Sequence, residues 1–349
     1  MILELAGSAA IASVVSLAVC GVQMRAGPVD QPDDQRKAHV VPTPTSGGVG
    51  IAIGYAVGLV ALTQLFAESA PLNRQGAALV SLASAFAFVF LLIGFVDDTR
   101  PLGPRIKLLF FTLLSLAAAI TMGIVDVLPV GGGQVLKVGL SIGLFGTALW
   151  VFTLVNCVNF MDGANGLAIG SAAIGLMALG VIAYVNGSHS ATAMTFVAAG
   201  ALIGFLIWNF PNGRLFAGDA GALFAGAIAA LASLIVISRT GLSPFIPPIL
   251  FMPLLADALM TLAWRVRHRR KLLIGHQEHL YQIAMRSGWS HARVSLVYWA
   301  AMALCGALGF LLSQSTDVRA PWVALVALAG LALATSILVR KYARAHGLL

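Results

Sequence analysis

Charge is scarce in this sequence. Asp, Glu, Lys and Arg make up only 10% of the 349 residues, against 59% apolar side chains, which excludes an ordinary water-soluble domain. Cysteine is scarcer still. Cys20, Cys157 and Cys305 are odd in number and scattered, so neither a disulfide framework nor a Cys-rich metal site follows. A basic n-region is missing from the first residues, where Glu4 stands instead, and the bulky Val19 in Leu17-Ala18-Val19-Cys20 argues against lipoprotein processing. A retained first helix is expected.

Long apolar runs dominate what remains. Crossing a ~30 Å hydrocarbon core takes about 20 apolar residues, and eleven runs qualify: 2–22, 47–67, 76–96, 106–124, 135–154, 166–184, 191–208, 220–238, 243–262, 292–313 and 320–339. They leave no stretch for a separate soluble core. The expected class is therefore an all-α polytopic membrane protein, one integral domain over residues 1–349 with about eleven transmembrane helices.

If the spans alternate, all Lys and Arg except Arg74, Lys137, Arg239 and Arg319 fall on one side of the bilayer. The positive-inside rule makes that side cytoplasmic and puts the N-terminus outside. The net charge of +8 thus flanks apolar spans rather than forming a basic face, and no nucleic-acid partner is expected. Polar information is just as one-sided. The external loops, such as Gly131-Gly132-Gly133 and 186–189, are short and nearly featureless. That pattern suits an enzyme fed from the cytosol better than a carrier open to both faces. A transporter, the alternative reading, also calls for charge near mid-membrane, and Asp257, towards the inner end of its span, is the only acid within a span's interior. No inverted repeat of broken helices is evident.

Five cytoplasmic constellations carry the chemistry. In Gly94-Phe95-Val96-Asp97-Asp98, two carboxylates end an apolar helix, with Arg100, Arg105 and Lys107 close behind. A helix end emerging into water is the bland reading; carboxylates beside cations at an interface also suit magnesium and phosphates. In the run Asn156 to Gly166, the residues Asn156, Asn159 and Asp162 recur every three positions and predict one polar strip on a helix before Gly-containing turns break it. In Phe216-Ala217-Gly218-Asp219-Ala220-Gly221, small residues admit a ligand to the backbone, although Asp219 reads equally as an N-cap. His276 and His279, three apart in the long loop 265–293, can share a helical face and offer hydrogen bonds or charge to a phosphate. A zinc pair finds no third local ligand, and the basic run 265–271 fits a lipid-headgroup anchor. The first internal loop, Asp33 to His39 followed by Pro42 to Gly48, fits either an ordinary or a substrate-contacting loop.

Together these loops, from about Gln31 to Gln282 and in the same order, resemble the polyprenyl-phosphate N-acetylhexosamine-1-phosphate transferase family. The phrase His276 to Gln282, preceded by Pro253 to Asp257, is most similar to the branch that starts O-antigen and other surface glycans. The resemblance implies ten or eleven helices around a cytoplasmic cleft, Mg2+ as cofactor with Mn2+ as a substitute, and the bilayer as surroundings. It implies transfer of a sugar-1-phosphate, N-acetylhexosamine-1-phosphate or a deoxy derivative, from a UDP-sugar to undecaprenyl phosphate with release of UMP. A homodimer is a further expectation at family level.

Carried over by position, Asp97 and Asp98 match the family's aspartate pair near the carrier phosphate, and Lys107 its basic residue. Asp219 matches the direct magnesium ligand. Asn156, Asn159 and Asp162 match the motif lining the nucleotide and metal side, with Asn159 as a second metal ligand and Asp162 among the catalytic acids. Phe216 falls where the family stacks on uracil, and His276 and His279 match its sugar- or pyrophosphate-contacting histidines. Two positions depart from the pattern. Asn165 replaces a frequent aspartate and is read as a nucleotide contact, and Thr45-Ser46 replaces a frequent arginine.

Overall fold

The computed structural model describes residues 2–26, 29–30, 42–64, 72–131, 134–272 and 275–349. Among them, ten helices are long and apolar enough to cross a membrane. They are α1 (Ile2–Ala26), α2 (Gly47–Gln64), α3 (Arg74–Thr99), α4 (Pro104–Met122), α5 (Leu140–Phe160), α6 (Leu167–Val185), α7 (His189–Asn209), α8 (Gly218–Thr240), α12 (His291–Ser313) and α13 (Ala320–Ala345). Three shorter helices, α9 (Ile246–Leu250), α10 (Met252–Arg267) and α11 (Leu280–Arg286), lie between α8 and α12. Two small antiparallel hairpins, β1 (Val29–Asp30) with β2 (Thr43–Pro44) and β3 (Val127–Gly131) with β4 (Gln134–Lys137), complete the fold.

α8 is the hub. It is apolar on every side and rich in Ala and Gly, with Ala222, Ala225, Ala227, Ala229, Ala230 and Ala232 all buried. A helix without a polar face belongs inside, and small side chains let neighbouring helices approach in a membrane, where packing replaces the hydrophobic effect as the driving force. Accordingly α8 packs against α2, α3, α5, α6 and α7, while α1 lies outside against α2 and α7. α13 is the most peripheral span and touches α9 to α12. Tyr55 of α2 and Ser84 of α3 share a buried hydrogen bond of 2.7 Å beside this core.

The expected ninth span, 243–262, is interrupted. Pro253 has no N–H to return to the preceding turn, so the chain is split at Phe251 into α9 and α10, neither of which is long enough alone. The fifth span also starts later than expected, because 127–137 form the β3–β4 hairpin and Gly139 takes φ +80° before α5 begins. The acidic and basic loop from Asp33 to His39 lies outside the described residues.

Candidate active site

The first turn of any helix leaves backbone N–H groups without intrahelical acceptors. At α8 the residue preceding the helix, Ala217, supplies no side-chain acceptor. Asp98, in the last turn of α3, does so instead. Its Oδ1 accepts from the Asp219 N–H at 2.9 Å and its Oδ2 from the Ala220 N–H at 3.1 Å. This approach leaves no room for side chains: a Cβ on Gly94 would lie 2.5 Å from the Ala220 nitrogen. Gly218, at φ +69°, has the Asp98 carboxylate against it as well. The N-cap reading open to Asp219 in the sequence therefore goes to Asp98. Asp219 keeps its own carboxylate for other work.

That carboxylate meets Lys107 from the start of α4. Lys107 Nζ donates to Asp97 Oδ2 at 2.5 Å and to Asp219 Oδ2 at 3.0 Å, so one ammonium bridges two acids from separate helices. Asp97 Oδ1 also accepts from the Leu102 N–H at 2.6 Å, which folds the 100–103 turn back over the pair. Arg100 and Arg105, expected within reach of these acids, are exposed, and among the described residues Lys107 alone forms the ion pairs. The Pro42 to Gly48 loop closes another side. Gly47 and Gly48 N–H donate to the carbonyls of Phe216 and Ala217, and Phe216 N–H donates to Pro44 O. Half-buried Phe216 is thereby fixed at the entrance to α8.

The polar strip is realised in part. α5 ends at Phe160, so Asn156 and Asn159 occupy its last two turns and Asp162 follows in the turn beyond. Asn156 donates to Phe152 O at 2.7 Å, and the Asn159 carbonyl accepts from the Asp162 N–H. Burial first, then the negative charges of Asp219 and Asp98, push the Asp162 carboxyl up to about 7. Asn165 is tied to the scaffold: its amide donates to Pro211 O at 2.9 Å and its carbonyl accepts from Ser295. Buried Asn209, which the sequence reading passed over, locks the same corner by accepting from the Gly166 N–H at 2.5 Å and donating to Leu215 O at 2.9 Å. Its only signal was an amide ending an apolar helix before a Pro-Asn-Gly turn.

The histidine loop packs against the end of α5. His276 and His279 stack with ring centroids 5.0 Å apart, and His279 lies 6.3 Å from the Phe160 ring at the end of α5. Tyr281 reaches the Phe160 carbonyl through its hydroxyl. Burial, with the neighbouring His279 and Arg265, pushes His276 down to about 4, so it is neutral near pH 7 and offers hydrogen bonds rather than charge. Arg265, almost fully buried, is paired with Glu278 and with the Lys271 carbonyl.

The assembled cleft holds oxygen donors and one ammonium. Carboxylates crowded around a cation mark where positive charge is favourable, and an all-oxygen donor set suits a hard divalent ion. Among the described residues no three His, Cys, Asp or Glu side chains converge as a closed metal cage. An ion held through one or two carboxylates, with its other positions filled by substrate phosphates or water, fits such a set.

Removing the Asp98 carboxylate leaves two buried amides without acceptors. Asp98→Ala should cost about 1 kcal/mol of stability, as lost caps do, and should lower transfer activity by about 100-fold, because misplacing reacting groups by an ångström is costly. Gly94→Val should separate α3 from α8 with a similar loss of activity. Thermal melts in detergent alongside turnover measurements check both.

The family model described as glycosyl transferase family 4 matches residues 80–237, which include Asp97, Asp98, Lys107, the Asn156–Asp162 strip and Asp219. The chain is 30% identical over 350 residues to the decaprenyl-phosphate N-acetylglucosaminephosphotransferase of Mycobacterium tuberculosis, covering 90% of this chain and 84% of that one. It is 28% identical over 310 residues to the probable undecaprenyl-phosphate N-acetylglucosaminyl 1-phosphate transferase of Bacillus subtilis, covering 87% and 81%. Identity to the phospho-N-acetylmuramoyl-pentapeptide-transferase of Moorella thermoacetica is 32% over 306 residues, covering 81% and 90%. The chain belongs to the polyprenyl-phosphate N-acetylhexosamine-1-phosphate transferase family, glycosyl transferase family 4.

Proposed function

We propose that this enzyme transfers N-acetylglucosamine-1-phosphate, or a close N-acetylhexosamine analogue, from its UDP-activated form to undecaprenyl phosphate at the cytoplasmic face of the plasma membrane. The observation that carries this reading is the Asp97–Lys107–Asp219 bridge at one end of an apolar helix bundle. It sets charged phosphate-handling groups where a lipid acceptor and a water-borne donor can meet. In the transfer, an oxygen of the carrier phosphate forms a bond to the β-phosphorus of the donor. The bond from that phosphorus to the bridging oxygen breaks, and its electron pair leaves with UMP. The product is a sugar joined to the lipid by pyrophosphate.

Phosphoryl transfer asks the protein for alignment and charge compensation more than for a covalent nucleophile. Lys107 is placed to neutralise phosphate oxygens, and Asp98 holds Asp219 in line. Asp98 has both oxygens engaged by backbone N–H groups, and Asp97 is held by the Leu102 N–H and by Lys107, through which it organises the attacking phosphate. Asp219, with Asn159 and Asp162 alongside, would hold magnesium, which would supply compensation for the charge that develops on the diphosphate. Phe216 faces the nucleotide side, and neutral His276 with His279 serves the sugar or pyrophosphate. The apolar surroundings and the bias of Lys and Arg toward this end support a cytoplasmic site fed with carrier from the bilayer. Initiation of a surface glycan is the step such a product serves.

Purified protein incubated with undecaprenyl phosphate, magnesium and a panel of UDP-sugars should yield lipid-linked sugar and UMP in equal amounts, with UDP-N-acetylglucosamine the best donor. Asp219→Asn and Asp97→Asn should reduce this by at least about 100-fold. A folded wild-type protein that releases no UMP with any donor contradicts the proposal. The sign of the Asp162 effect gives a second test. Its native carboxyl titrates above the ordinary value of about 3.9, so its contribution to stability is present at acid pH and lost as pH rises through about 7. A cation on the cluster offsets that loss. Magnesium should therefore raise Tm more at about pH 8 than at about pH 6, and Asp162→Asn should shrink the difference.

A further inference from the structure

Asp257 has no part in the cluster just described, yet it is the most heavily hydrogen-bonded acid in the described protein. It lies in α10, is 1% exposed, and receives five donors. Oδ1 accepts from the Leu280 N–H at 2.8 Å, from Thr261 Oγ1 at 3.2 Å and from His279 Nδ1 at 3.3 Å. Oδ2 accepts from the Tyr298 hydroxyl at 2.6 Å and from the Tyr281 N–H at 3.1 Å. A carboxylate only accepts, so in this contact Nδ1 of His279 carries the proton and Nε2 is the remaining acceptor of a ring that is itself buried.

The chain of contacts continues outward. Thr261 accepts from Arg340 Nη2 at 2.8 Å, and the Arg340 guanidinium lies 4.7 Å over the Trp264 ring. Arg340 is itself buried in α13, a helix beyond the residues matched by the family model. A buried arginine on a peripheral span is costly unless it holds something in place. Here it holds the residue that supports Asp257.

We propose that Asp257 is the positioning residue for His279, capping α11 and fixing the ring tautomer, with Arg340 and Thr261 as its support from the C-terminal helix. Asp257 touches no reacting atom; it acts through His279. The inference rests on the transfer reaction proposed above only for its kinetic readout. Asparagine cannot replace this carboxylate, because its NH2 group would face donors on either side. Tyr298→Phe removes one donor and keeps the charge, so it gives a milder version of the same change in a fold left otherwise intact.

Two measurements on the full-length protein in detergent test this. In 15N-histidine NMR at about pH 9, above the ordinary histidine pKa of about 6.5, the His279 signal, assigned by its loss in His279→Gln, should show a protonated Nδ1. Asp257→Asn should move the proton toward Nε2. In kinetics with UDP-N-acetylglucosamine, Asp257→Asn should lose about 10–100-fold in donor kcat/KM, the range for residues that orient a ligand-contacting histidine. KM for the carrier should stay within about twofold, and Asp257→Asn combined with His279→Ala should fall no more than about twofold below His279→Ala alone. Tyr298→Phe should give a smaller loss in the same parameter. Multiplying losses, an equal rise in carrier and donor KM, or an unchanged tautomer would each overturn the assignment and leave Asp257 a structural cap. If the wild-type protein transfers nothing from any UDP-sugar, the proposed reaction falls, and the NMR experiment alone still decides the role of Asp257.

Discussion

The site depends on carboxylates that cap helices to which they do not belong. Asp98 ends α3 and caps α8; Asp257 sits in α10 and caps α11. In each case the partial positive charge at a helix start stabilises an acid that the apolar surroundings would otherwise penalise. In each case a candidate site residue lies at the start of the capped helix: Asp219 in α8, and His279 immediately before α11. A cap taken from a distant helix ties two spans together and frees the local side chain. An ordinary N-cap satisfies such N–H groups from the same turn, and so does neither.

The same arrangement explains why so few charged residues suffice. Asp97, Asp219 and Lys107 come from three helices and meet within hydrogen-bonding distance, so the cleft holds a compact set of charges without a long polar segment. Glycine and alanine along α3 and α8 make this possible, since any Cβ at Gly94 would push the partners apart. In the histidine loop, neutral His276 and buried His279 add hydrogen-bonding groups with little charge.

Much of this could be read from the residues. Runs of about 20 apolar side chains set the membrane class, and Asp97, Asp98, Lys107, Asp162 and Asp219 stood out as polar groups at the ends of such runs. What could not be read was direction. Sequence spacing placed Arg100 and Arg105 as near the aspartates as Lys107, but the turn at 100–103 leaves both exposed and sends only Lys107 inward. Asp257 looked like a lone acid in a span because its five donors come from residues 4 to 41 positions away. The ninth span hid its break, since the prolines that split it are themselves apolar enough to extend the run.

The central claim is that Asp98 organises Asp219 into a single cation-binding carboxylate at the mouth of α8. Electron paramagnetic resonance of Mn2+ added to the purified protein with UDP tests it directly. The account predicts one bound ion in the wild type, lost in Asp219→Asn and weakened by about tenfold or more in Asp98→Asn, in which Asp219 is present but unsupported. Mn2+ binding of wild-type strength in Asp219→Asn, with the protein folded, would contradict it.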